Sequence, residues 1–290
     1  MDIDGDGNRD ILSGSYSRLE KAMAGLFQVL HGNANGTFRT AEALKGTDGE
    51  PLIIPIKDEQ QRVENICTRP FAADWDSDGR LDLVVGNFSG TFYWFQGEGK
   101  GKFQPQPEAI KSGEAILRIA GNHSDPFVID WDGDGDLDLV SGSSSGGVQW
   151  AENTAGKGEV PELGAFEWLI QPGADPFEDR LLVSENDLSG PLSSTRVWVA
   201  DVNVDGKLDL LVGDSVTLRA PAEGLSEAEF KKKFADWQKA FAVVREKLTP
   251  ATSDEAQRTK AFEDYRKVYE QRATFMREEQ SGFVWLYLRK

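Results

Sequence analysis

DWDGDGDLDLVSG, residues 130–142, decides how this chain is read. Asp130, Asp132, Asp134, Asp136 and Asp138 stand at alternate positions, Gly135 interrupts them, and a short apolar run follows. The pattern Asp-x-Asp/Asn-x-Asp-Gly-x-x-Asp recurs as DIDGDGNRDILSG from Asp2, DWDSDGRLDLVVG from Asp74 and DVNVDGKLDLLVG from Asp201. The four starts lie 72, 56 and 71 residues apart, the length of one supersecondary repeat.

This spacing is suited to a hard cation. Calcium takes six to eight oxygen ligands in a flexible shell, and alternate residues of a tight loop can turn their carboxylates inward. Positions 1, 3, 5 and 9 would supply side-chain oxygens: Asp2, Asp4, Asp6 and Asp10; Asp74, Asp76, Asp78 and Asp82; Asp130, Asp132, Asp134 and Asp138; Asp201, Asn203, Asp205 and Asp209. Position 7 varies freely (Asn8, Arg80, Asp136, Lys207), as expected of a residue that offers its backbone carbonyl. Position 6 is always Gly, where the chain must turn sharply. Position 2 is apolar (Ile3, Trp75, Trp131, Val202) and is expected to point into the protein. Up to four Ca²⁺ are expected, the fourth loop binding weakest because Asn203 replaces a carboxylate. Magnesium, which prefers stricter octahedral geometry, fits less well.

An EF-hand is excluded, because position 12 is Ser13, Val85, Ser141 or Val212 where that motif needs Glu. The flanks, such as PFVIDWD and LDLVSGS, read as short strands, so each loop joins two strands. Aromatic strands ending in Gly follow, GTFYWFQGEGKGKF at 90–103 and GGVQWAENTAGKG at 146–158, with divergent copies at 25–38 and 282–290. The stretches 114–120 and 180–184 are expected to be fourth strands.

Four-stranded antiparallel units at this period read as blades of an all-β propeller. The repeats at 2–10, 74–82, 130–138 and 201–209, with residues 1–219 and 282–290 around them, resemble the FG-GAP or VCBS repeats of integrin α-subunit-like propellers. That resemblance implies an extracellular, calcium-stiffened propeller that binds protein or carbohydrate. It also implies that the positions named above are calcium ligands. The chain begins inside its first loop and ends on what reads as a third strand, so a partial propeller is expected ahead of the alternative, a small closed ring with strands shared between the termini. The expected location is extracellular or periplasmic, with no signal peptide after Met1 in this sequence.

Residues 223–280 differ in character, with 12 basic and 12 acidic residues, so the net charge of −17 belongs to the β part. Ser226 with Glu229 reads as a capping box before a helix over 226–248, with Phe230, Phe234, Trp237, Phe241, Val244 and Leu248 on one stripe. Thr252 with Glu255 reads as a second capping box, before Phe262, Tyr265, Tyr269 and Met276. The expectation is a helical hairpin inserted between the second and third strands of the last blade. In an up-and-down blade such an insertion would leave by the face opposite the calcium loops. That is where a protein or glycan ligand, or self-association through 223–280, is expected.

The acidic balance argues against nucleic acid and anionic membrane surfaces, and no apolar run is long enough to span a bilayer. Cys67 is the single cysteine, and with His31 and His123 it forms no zinc-type cluster in sequence; both histidines read as solvated loop residues. Trp94, Trp150, Trp198 and Trp285 read as strand packing. No triad or cofactor loop assembles, so a calcium-stabilised binding or adhesion module is expected rather than an enzyme. The alternative is a polysaccharide lyase or other carbohydrate-active propeller, which a centre lined by Arg, Lys and Tyr would favour.

Overall fold

The computed structural model describes residues 1–16, 25–56, 63–174, 183–248 and 255–290. The chain divides into two compact units, one comprising 1–173, 190–215 and 283–290, the other 174–189 and 216–282.

In the first unit each loop feeds an antiparallel sheet. The first sheet contains β1 (Ile11–Ser13), β2 (Gln28–Leu30) and β3 (Glu42–Ala43). The second is β4 (Arg69–Ala73), β5 (Asp82–Gly86), β6 (Phe92–Phe95) and β7 (Glu108–Ala109), in that order. The third is β8 (Asp125–Ile129), β9 (Asp138–Gly142), β10 (Val148–Ala151) and β11 (Glu167–Ile170). The fourth pairs β12 (Ser193–Ala200) with β13 (Asp209–Pro221), and β13 with β15 (Val284–Tyr287) through Leu210–Tyr287 to Gly213–Val284. The second, third and fourth acidic loops join β4 to β5, β8 to β9 and β12 to β13, as expected. No sheet closes on itself among the described residues.

Fourth strands form elsewhere than expected. β7 pairs Glu108 and Ala109 with Trp94 and Tyr93, whereas 114–120 supplies one arm of a small hairpin (Lys111–Ser112 with Ala115–Ile116) and a single bridge from Arg118 to Thr91. The fourth strand of the third sheet is β11, with Trp168 opposite Gln149. The expected strand at 180–184 lies mostly outside the described residues; Val183 makes one bridge to Arg219. The apolar alternation of 167–170 is short, and its pairing depends on contacts with β10 rather than on local pattern.

Three cores join successive sheets. Phe27, Val29, Leu83, Val85 and Phe95 fill the first, with Phe27 and Phe95 edge to face at 5.6 Å. Val84, Phe92, Val128 and Leu139 form the second, and Phe127, Val140, Val199 and Val212 the third. Alternate residues of β5 thus serve two cores, which is why this strand reads as continuously apolar and is buried at every position.

A repeated polar staple also links the sheets. Thr68, Ser124 and Thr195 lie six residues ahead of the second, third and fourth loops. Each buried hydroxyl accepts a backbone N–H at 2.8 Å, from Ser15, Asn87 and Ser143 respectively. Gly14, Gly86 and Gly142 precede those donors. A Cβ at these glycines would stand 1.7, 2.4 and 2.4 Å from the carbonyl oxygens of Thr68, Ser124 and Thr195, so a side chain would force the sheets apart.

In the second unit, β13 continues from Val216 to Pro221 against β14 (Met276–Ser281), and α1 (Glu227–Glu246) and α2 (Glu255–Gln271) form the hairpin. The Ser226–Glu229 capping box forms in both directions, with Glu229 N–H donating to Ser226 Oγ at 3.3 Å and Ser226 N–H to Glu229 Oε2 at 2.9 Å. The second expected cap, Thr252, lies outside the described residues. Phe230, Phe234 and Phe275 cluster, and Trp237 Nε1 donates to the Val268 carbonyl at 2.8 Å, closing α1 on α2. Met276 is not on the second helix: it begins β14, paired with Pro221, and is buried among the same phenylalanines. The second α-helix thus ends at Gln271, and a 3-10 turn over Arg272–Thr274, with Arg272 over the Tyr269 ring at 3.5 Å, leads into β14. No helix among the described residues is long and apolar enough to cross a membrane.

Candidate metal centres

Each loop is a chain of side-chain-to-backbone turns. Position 1 is the anchor: Asp2 Oδ2 accepts Gly7 N–H at 2.9 Å, Asp130 Oδ2 accepts Gly135 N–H at 3.1 Å, and Asp201 Oδ2 accepts Gly206 N–H at 2.9 Å. Asp74 takes Gly79 N–H in the same way. Position 3 caps the residue two further on, as in Asp132 to Asp134 at 3.1 Å and Asn203 to Asp205 at 3.0 Å. Position 5 repeats the turn, with Asp78 Oδ1 accepting Arg80 N–H at 2.8 Å. Short acidic side chains favour such turns. Stacking three of them turns one oxygen of each to the backbone and gathers the carboxylates of a loop together.

The glycine at position 6 is required by conformation: φ is +88° at Gly7, +87° at Gly79, +99° at Gly135 and +85° at Gly206. Position 4 is left-handed too, at Gly5, Ser77, Gly133 and Val204, which the sequence reading missed because two of the four are not Gly. Val204, at φ +61° and exposed, is β-branched and strained. Position 2 is buried at Ile3, Trp75 and Trp131, as expected; in the fourth loop Val202 is exposed.

Position 9 has a role of its own. Asp10, Asp82, Asp138 and Asp209 are buried, and one oxygen of each accepts the N–H of position 2, from Ile3, Trp75, Trp131 and Val202 at 2.8–3.0 Å. The other oxygen accepts an N–H beyond the strand that follows, from Gly32, Gly97, Asn153 and Arg289. The ninth carboxylate is a strut between loop and sheet, whether or not it also ligates.

Position 7 is not indifferent. Arg80 Nε donates to the Gly97 carbonyl at 3.0 Å and its guanidinium pairs with Asp78, while Asp136 Oδ2 accepts Gly156 N–H at 2.8 Å. Asp136 Oδ1 is buried with no hydrogen-bond partner.

Carboxylates converge within 4.8 Å in Asp2–Asp4–Asp6, Asp74–Asp76–Asp78 and Asp130–Asp132–Asp138. In the fourth loop, with Asn203 at position 3, no group of three forms among the described residues. Burial pushes the Asp82 carboxyl up to about 6 despite its bonds to Gly97 and Trp75, with Asp76 adding to the rise. Burial raises Asp138 as well, and Asp136, where Asp134, Asp138 and Asp132 contribute. Asp10 moves below the usual range because its hydrogen bonds from Gly32 and Ile3 and the neighbouring His31 together outweigh burial. A cation fits such sites, because it would relieve the crowding of carboxylates that converge within 4.8 Å. When bound it would supply charge neutralisation and rigidity, with the side chains of positions 1, 3, 5 and 9 as its holders.

A second polar group lies at the entry of the first strand of three sheets. Asp125 sits between Arg69 (3.4 Å) and Arg196 (3.6 Å). Burial raises the Asp125 carboxyl although Arg196 and Arg69 oppose it. Cys67, His123 and Ser194, two residues before this trio, all take left-handed backbone at φ +51° to +59°. Cys67 is buried, which raises its thiol. His123 packs on Phe88 at 4.5 Å and is no freely solvated residue. Nor is His31, whose ring lies among Asp4, Asp10 and Glu42. Trp198, expected in packing, stands largely exposed with one edge on Phe127 at 5.4 Å.

A family model described as an FG-GAP-like repeat matches residues 74–141 and 130–212, each match running from one acidic loop through the next. No curated protein matches the chain significantly. With the loop geometry and strand order in agreement, residues 74–212 are FG-GAP-like repeats.

Proposed function

We propose that this protein is a calcium-stabilised, β-propeller-like module that serves in extracellular binding or adhesion to a protein or glycan. The observation that carries this reading is the repeated loop, in which left-handed turns gather carboxylates together in the first three copies and the ninth Asp of all four ties the loop to its sheet. Calcium would hold the carboxylates of positions 1, 3, 5 and 9 ionised and stiffen the joints between first and second strands. Extracellular calcium modules bind at about 10⁻⁴ to 10⁻³ M, which suits a secreted protein and not the cytosol. The aromatic hairpin of α1 and α2 is the proposed element for self-association.

Calorimetric titration of the chelator-treated protein tests the reading. Heat on adding Ca²⁺ and a melting temperature that rises with free Ca²⁺ are expected. Absence of both ends it.

The second reading is a carbohydrate-active enzyme. It is favoured by Arg69 and Arg196 around Asp125, since guanidinium groups are what an acidic sugar would meet. Release of unsaturated products from acidic polysaccharides would establish it.

A further inference from the structure

We propose that the first loop, completed by His31, is a mixed nitrogen–oxygen site for a zinc-class transition-metal dication, set apart in metal choice from the three loops that follow. This rests on the reading that the loops hold cations, and it concerns which cation the first one takes.

His31 follows β2 and its side chain is only 16% exposed. Nδ1 lies 3.2 Å from Asp4 Oδ2 and 3.4 Å from Asp10 Oδ1. That nitrogen is sealed from solvent, and the two carboxylates beside it stand at ion-pair distance outside hydrogen-bond geometry. Its neighbours are therefore ligand-type atoms at about the 3.3 Å edge expected around a tetrahedral ion with bonds near 2.0 Å. Asp10 is held for this purpose by Ile3 and Gly32 N–H groups, both at 2.8 Å, leaving further lone pairs on the carboxylate. On the far side of the ring, Nε2 stands 3.4 Å from Glu42 Oε1. A carboxylate behind the second ring nitrogen is the arrangement that fixes the tautomer of a metal-bound imidazole.

The other repeats provide an internal control. The struts identify equivalent positions: the residues just before Gly32, Gly97, Asn153 and Arg289 are His31, Gln96, Glu152 and Leu288. Gln96 Nε2 reaches Asp76 Oδ2 at 3.2 Å, so this position faces the third-position carboxylate in the second loop as well. There it is an amide that donates. In the first loop it is an imidazole, a ligand suited to zinc, copper and nickel and foreign to a calcium shell.

The test uses the full chain stripped with chelator. With Zn²⁺, the His31 ring signals in NMR should shift while those of His123 stay in place, and Co²⁺ should give the visible absorption of a nitrogen-containing site. His31→Ala and His31→Gln should weaken Zn²⁺ binding at least tenfold and leave Ca²⁺ binding by loops two to four unchanged. Equal Zn²⁺ affinity in wild type and both variants, or an unmoved His31 signal, would make His31 a mere ion-pair partner and overturn the proposal. Failure of the wild type to bind Ca²⁺ anywhere would instead strike at the general loop reading, and the His31 signal distinguishes the two.

Discussion

Asp138 Oδ1 accepts the backbone N–H of Asn153 at 2.8 Å, fifteen residues further along, while its other oxygen holds Trp131 N–H at 2.8 Å. Removing this strut leaves two buried donors unpaired. Asp138→Ala should therefore cost about 2–4 kcal/mol in chelator, before any metal is considered. Asp132→Ala, which removes an exposed turn bond, should stay within about 0.5 kcal/mol in chelator and show its effect in Ca²⁺ affinity. Urea unfolding with and without Ca²⁺ separates the two roles. Equal costs in chelator would dismiss the strut.

Val204 holds φ +61° with its side chain in solvent, so its strain is repaid by no packing. A left-handed non-glycine residue costs roughly 1–2 kcal/mol, of which Gly returns part to unfolded-chain entropy. Val204→Gly should raise stability by about 0.5–1 kcal/mol, read as an upward shift in melting temperature. A neutral or lower midpoint would show that the loop is not strained there.

Ser124 Oγ accepts Asn87 N–H and donates to the Thr91 carbonyl, both at 2.8 Å. Ser124→Ala strands a buried donor and should cost about 1–3 kcal/mol. Thr195→Val, at the matching joint, should cost a similar amount. If neither variant moves the denaturation midpoint, the staple contributes nothing to holding the sheets together.

Acid acts in two directions on the metal-free protein. Asp82, raised to about 6 from an ordinary 3.8, favours folding when protonated, so its contribution is complete below the ordinary value and lost as pH rises through about 6. His123 lies below its ordinary 6.5 through burial and the nearby Arg69 and Arg196, so its contribution is present above 6.5 and lost as pH falls. Between pH 7.5 and 5.5, His123→Asn should therefore gain more stability than wild type, Asn being able to keep the left-handed φ. Parallel pH curves for the two proteins would refute the assignment to His123.

Phe234 is buried between Phe230 and Phe275, with Trp237 5.6 Å away. Phe234→Ala should cost about 3–5 kcal/mol within the helical unit. Helical circular dichroism should melt earlier, while Ca²⁺ binding persists if the loops hold the ion by themselves. Loss of Ca²⁺ binding would tie the two units into one folding reaction.

The acidic loops, the strands around them and the first helix cap were legible in the chain because each depends on neighbours in sequence. Alternating Asp, an obligatory Gly and Ser226 three residues before Glu229 act through local backbone geometry. The staple was written there as well, a hydroxyl six residues before three of the loops, but its meaning depends on a partner 37 to 53 residues away. Tertiary structure alone decided that the ninth Asp is a strut, that β11 rather than 180–184 completes the third sheet, and that Met276 begins a strand. It also decided that His31 faces Asp4 and Asp10. A side chain's partner across a sheet is fixed by pairing register and by the turn that sets it, and neither is carried by the residues on one side of the pair.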